Sequence, residues 1–219
     1  MTHHIERQIE HLKERILRVG TLVEEAISKS ISAVINRDVA LAQRVMASDE
    51  AIDRMEVEVQ EECLKILALY QPVAADLRFV VAALKINNDL ERMGDLAKNI
   101  AKRVSQLAGA TEVELPPEIR TMAIQAEEMV RNCLEAVVNA DPVLARRIRE
   151  QDDAVDEARQ RIRRRVLAGI KEHPESVESL LRVNSITNNI ERVADMATNV
   201  AADVIYMVEG EIIRHRIDE

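Results

Sequence analysis

Residues 84–104 read LKINNDLERMGDLAKNIAKRV, and residues 184–204 read NSITNNIERVADMATNVAADV. Nine of these 21 positions match at an offset of 100: Ile86, Asn88, Glu91, Arg92, Asp95, Ala97, Asn99, Ala101 and Val104 in the first copy. In each copy the apolar residues recur alternately at four and three positions. The first runs Ile86, Leu90, Met93, Ala97, Ile100, Val104 and Leu107; the second runs Ile186, Ile190, Val193, Ala197, Val200, Val204 and Met207. That is the period of helices packed in coiled-coil fashion.

The duplication extends outward from this helix. AVINRDVALAQRV (33–45) and AVVNADPVLARRI (136–148) agree at seven of 13 positions with an offset of 103. Asp49, Ala51 and Asp53 then match Asp152, Ala154 and Asp156 at the same offset. The chain is therefore a tandem repeat. SQLAGATEVELPPE (105–118) holds Gly, Thr and two prolines together and marks the boundary. The expected division is a first repeat over 1–108, a linker over 109–115 and a second repeat over 116–219.

Each repeat divides into three helices. The first is expected from about Ile5 to Asn36. Asp38 is a natural N-cap for the second helix, and Pro72 sits where an N1 proline would open the third. Asp141 with Pro142, and His173 with Pro174, repeat these signals. Connections this short force neighbouring helices to run antiparallel. The predicted fold is all-α: two tandem homologous three-helix antiparallel bundles of six long helices, each expected to fold without the other.

Composition agrees. Aromatic residues are 1% of the 219, and only five Gly and five Pro are present, too few for the turns of an all-β or α/β fold. The net charge of −9 disfavours a general nucleic-acid binder, which needs a basic surface. Cys63 and Cys133 are isolated, so neither a disulfide framework nor a Cys-type zinc site is expected. The longest apolar run, Phe79 to Leu84, is far short of a membrane span, and residues 1–20 are charged throughout. A soluble cytoplasmic protein without a signal peptide is the expectation. No P-loop, dinucleotide fingerprint, nucleophile elbow, HExxH or Glu-x-x-His occurs.

A second line of side chains runs along the third helix of each repeat. At about 100° per residue, Asn88, Glu91, Asp95 and Asn99 fall together opposite the apolar stripe, and Asn188, Glu191, Asp195 and Asn199 repeat the line. Arg78, Lys85, Arg92 and Arg103 fall on a separate cationic flank. The second helix of each repeat adds Asp49 with Asp53 and Asp152 with Asp156. Carboxylates four apart repel. A bound cation or inward-turned arginines would relieve that repulsion, and oxygen donors suit hard or borderline cations. The plain alternative is a solvated polar face with Arg92 and Arg192 as ion-pair partners. Glu24 and Glu25, with Glu127 and Glu128, are further acids from the first helix of each repeat. The run Arg159, Arg161, Arg163, Arg164 and Arg165 is either a solvated flank or a surface docking an acidic partner, with Arg159, Arg163 and Arg165 its candidate contacts.

Together NNDLERMGDLAKNIA (87–101), NNIERVADMATNVA (188–201), QPVAADLR (71–78), ASDEAID (47–53) and EQDDAVD (150–156) resemble the signature of the PhoU family over essentially the whole chain. The resemblance implies a non-enzymatic cytoplasmic regulator of phosphate uptake and the phosphate-starvation response. Such a regulator restrains signalling by linking the ATPase subunit of a phosphate ABC transporter to a sensor histidine kinase. It implies a homodimer that meets the membrane only through its partners and binds no nucleic acid. It also implies metal ions (iron, manganese, zinc or magnesium) on paired E/DxxxD motifs. These map to Asp49 with Asp53, Glu91 with Asp95, Asp152 with Asp156, and Glu191 with Asp195; Asn88, Asn99, Asn188, Asn199, Glu24 and Glu127 are further candidates. The chain departs from the family at Met196, where a His often follows the last Asp, and at Ala202, where a Glu often stands. The competing readings are a metal-dependent hydrolase or oxidase, and a structural helical protein without a site.

Overall fold

The structure is a computed structural model and describes residues 2–213. Helix α1 (Thr2–Asn36) ends where Arg37 turns left-handed at φ 52°, and α2 (Val39–Tyr70) begins at once. Between them Asp38 accepts a hydrogen bond from the Leu41 N–H at 2.8 Å, satisfying a donor that every helix start leaves open. The corner recurs between α4 (Glu118–Asn139) and α5 (Pro142–Glu172). There Ala140 is left-handed at φ 48°, and Asp141 accepts from the Val143 and Leu144 N–H groups at 2.9 and 3.0 Å. Pro142 takes the first helical position, as expected.

The other two corners differ from expectation. Helix α3 (Ala74–Leu107) starts after Val73, so Pro72 lies in the connector and not at N1. Gln71 and Ala74 are both left-handed, at φ 47° and 49°, and the proline ring fixes the backbone between them. Pro174 opens a single 3-10 turn, Pro174–Ser176, before α6 (Val177–Glu209).

Helices α2, α3, α6 and α5 lie side by side in that order, and α1 and α4 pack across them as a second layer. The broadest contact in the molecule is α3 with α6, which joins the two repeats. Lys85 Nζ lies 3.3 Å from Asp203 Oδ1, Arg103 donates to Ser185 Oγ at 3.1 Å, and Arg78 donates to the Met207 carbonyl at 3.5 Å. Residue numbers rise on one helix as they fall on the other, so the helices run antiparallel. Three of the four residues of the cationic flank of α3 thus face the other repeat.

One core spans both repeats. Residues Ala201 to Ile205 are buried in succession, which a helix with one apolar face cannot achieve. Helix α6 is covered by its own bundle on one side and by α3 on the other. Across the second layer, a Cβ on Gly20 of α1 would come within 2.5 Å of Leu134 on α4. The two bundles are therefore packed against each other through both layers.

Candidate metal centres

The second and third helix of each repeat bring the expected carboxylates together. In the first repeat, burial and then the neighbouring Asp49 push the Asp53 carboxyl above its ordinary value, with Asp95 adding to the effect. Burial, Asp95 and Asp53 do the same to Glu91. Asp49 is buried, and Lys98 of α3 ion-pairs with it. Lys98, which the sequence pattern did not single out, is the cation of this cluster. Arg92, the expected partner, instead lies 4.0 Å from Asp89.

The second repeat builds the same arrangement with a different cation. Burial, followed by Asp195 and Asp156, pushes the Asp152 carboxyl up to about 6. Glu191 and Asp195 are also raised, mainly by burial. Arg159 opposes the shift in both. Its guanidinium stands 3.6 Å from Glu191 Oε1 and donates to Asn188 Oδ1 at 3.2 Å. Arg159 therefore turns into the carboxylates and leaves the docking flank expected of it. Arg165 pairs with Glu118 at 2.9 Å, and Arg163 is exposed.

The remaining candidates divide. Asn188 serves the second cluster through Arg159, whereas Asn199 lies against Met196 Sδ at 4.0 Å. Asn88 and Asn99 are exposed on α3. Glu24 does not join the first cluster. It sits on the seam between α1 and α4, where Arg131 donates to it at 3.1 Å, and its repeat counterpart Glu127 is half-buried on α4 in the same layer. Helix α1 packs on the other side of α3, and that placement cannot be read from one helix's periodicity.

Glu56 was missed. It sits one turn beyond Asp53 and adds to the repulsion felt by Glu91. Asn87 donates to the Glu56 carbonyl at 2.9 Å and to its Oε1 at 3.3 Å. Asn87 is 1% exposed, and its Oδ1 is buried without a hydrogen-bond partner. An unmet buried acceptor is costly, about 1–3 kcal/mol, and calls for a donor or a cation.

The donor chemistry suits a hard or borderline cation: carboxylates that repel one another, amide oxygens and one unmet acceptor. Among the described residues, no three His, Cys, Asp or Glu side chains close on one point. They line the grooves between α2 and α3 and between α5 and α6, with Lys98 and Arg159 supplying the counter-charge. The residues that would hold a cation there are Asp53, Glu91 and Asp95 in the first repeat and Asp152, Asp156, Glu191 and Asp195 in the second. Among the described residues, no helix is long and apolar enough to cross a membrane.

The PhoU domain family model matches residues 16–104 and 119–204, one match per repeat. The chain is 37% identical over 210 residues to the "Phosphate-specific transport system accessory protein PhoU homolog" of Aquifex aeolicus, covering 96% of this chain and 95% of that protein. The crystal structure of PhoU from Pseudomonas aeruginosa superposes with a TM-score of 0.90 at 34% identity, covering 94% of this chain and 99% of that one. The phosphate transport system regulatory protein PhoU from Streptococcus pneumoniae superposes with a TM-score of 0.89 at 28% identity, covering 95% and 99%.

Proposed function

The chain belongs to the PhoU family, and from that premise we propose that it is a cytoplasmic, non-enzymatic regulator of phosphate uptake. In this reading it restrains the phosphate-starvation response by linking the ATPase subunit of a phosphate ABC transporter to a sensor histidine kinase. It acts as a homodimer. Cations held through its E/DxxxD pairs order the helix faces that the partners read.

One observation carries the reading: the family match falls on both repeats, and relatives named as accessory proteins of phosphate-specific transport align along nearly their whole length. The clusters support the metal component, because carboxylates held four apart on facing helices are stabilised by a cation that binds only the folded form.

Deletion of the gene tests the regulatory role. A starvation-responsive reporter should become active in phosphate-rich medium and be silenced again by the restored gene. Affinity purification from phosphate-replete cells should recover the transporter ATPase and the kinase, and light scattering should read a dimer. A reporter that stays silent in the deletion strain, with neither partner recovered, overturns the proposal.

A further inference from the structure

The repeats share a fold, but their carboxylate grooves differ at two aligned positions. Glu56 corresponds to Arg159 at the offset of 103, and both are half-buried. Asn87 corresponds to Thr187 at the offset of 100, and both are 1% exposed. In the second groove the Arg159 guanidinium reaches Glu191 and Asn188. Thr187 there satisfies its hydroxyl within its own helix, donating to the Val183 carbonyl at 2.9 Å. In the first groove the same place holds Glu56 and the unpartnered Asn87 Oδ1, one helical turn from Glu91.

We propose that the first groove takes a divalent cation at its Glu56–Asn87–Glu91 end, and that Arg159 fills the corresponding place in the second groove as a built-in substitute for the metal. The inference rests on the metal reading above and names which repeat answers to the ion. The planar amide of Asn87 turns its nitrogen to Glu56, which leaves its oxygen free to serve the cation from the α3 side. Asp53 lies one turn before Glu56 and completes an oxygen set of the kind hard cations take. Lys98 ion-pairs with Asp49 and also acts on Asp53, whereas the neighbours that act on Glu91 are all carboxylates. In the second groove a guanidinium fixed by two oxygen partners both repels a second cation and occupies the ligands it would need. The two repeats thereby become a metal-responsive half and a metal-independent half.

Manganese(II) is the probe, counted on the full chain by isothermal titration calorimetry and by loss of the free-ion electron paramagnetic resonance signal. Wild type should bind one tight ion per chain. Arg159→Glu with Thr187→Asn, which gives the second groove the acid and the amide of the first, should bind two. Glu56→Arg should lose the tight ion while its circular dichroism melt stays cooperative. If that variant does not fold, Glu56→Gln with Asn87→Thr serves in its place and should weaken the ion by at least about tenfold. Two equal ions on wild type would leave the metal reading standing and overturn this one. A folded Arg159→Glu/Thr187→Asn chain that still binds one ion, or a Glu56 variant that retains it at full affinity, also overturns it. No manganese on wild type or on either variant would sink the metal reading itself, and this inference with it.

Discussion

Lys85 Nζ and Asp203 Oδ1 stand 3.3 Å apart across the seam between α3 and α6, and Arg103 with Ser185 is the same contact seen from the other repeat. At the offset of 100, Lys85 aligns with Ser185 and Arg103 with Asp203. An antiparallel pair of duplicated helices makes each cross-contact twice, about an approximate two-fold axis. The chain has used the two copies differently, as an ion pair in one and a neutral acceptor in the other. The Lys85 ammonium also lies 5.2 Å from the Tyr206 ring, which favours a cation there.

Asp203 is 2% exposed, so Lys85→Met takes a cation away from a buried carboxylate. Lys85→Met should lower stability by about 1–2 kcal/mol. Ser185→Ala at the mate contact should cost about half as much or less. Urea unfolding of the two variants checks the order, and an equal loss would show that burial of Asp203 is not compensated by Lys85.

The α1–α4 layer depends on Gly20. A larger side chain there meets Leu134, and Gly20→Leu should cost about 1–3 kcal/mol through overpacking. Leu134→Ala creates room, so the double variant should be more stable than the sum of the single losses predicts. A strictly additive double variant would place the two side chains out of contact.

Lys98 neutralises the buried Asp49. Lys98→Met should destabilise the metal-free protein by about 1–3 kcal/mol, with the loss larger at low salt. Millimolar manganese should restore more stability to this variant than to wild type, because the ion then acts on carboxylates, Asp53 among them, that have lost the Lys98 charge. Equal manganese shifts in the two proteins would show that Lys98 and the ion do not act on the same carboxylates.

The raised carboxyls give a pH dependence of known sign. Asp152 titrates at about 6 in the fold and near 3.8 when unfolded. Between those values the folded state holds a proton that the unfolded state has released, so stability falls as pH rises. The other raised acids, Asp53, Glu91, Glu191 and Asp195, act in the same direction. With metal chelated, the melting temperature should rise as pH falls from about 7 to about 5, and Asp152→Asn should flatten that rise. A melting temperature that drops over this interval in wild type would contradict the buried, mutually repelling arrangement.

An isolated second repeat, residues 116–219, exposes the face of α6 that α3 covers. Ala201 to Ile205, buried in succession in the full chain, would then meet water on one side. The fragment should self-associate or melt well below the full chain, and mixing it with residues 1–108 should restore a single cooperative transition. Two halves that melt independently at the full chain's temperature would show that the shared core adds nothing.

The sequence by itself determined the helices, their number and their duplication. A four-and-three apolar period admits no other regular structure, and aspartates at residues 38 and 141 fix where two helices begin. It also determined which carboxylates share a face, since Glu91 and Asp95, or Asp49 and Asp53, are neighbours by helical arithmetic alone. Only the tertiary structure decided which cation meets them. Lys98 and Arg159 enter the grooves, and Arg92 pairs elsewhere, because the rotation of one helix against another is set by packing across the whole core and not by the period of either helix. The same packing interlocked the repeats through α3 and α6, and it buried Asn87 beside Glu56, where neither had looked different from the polar residues around it.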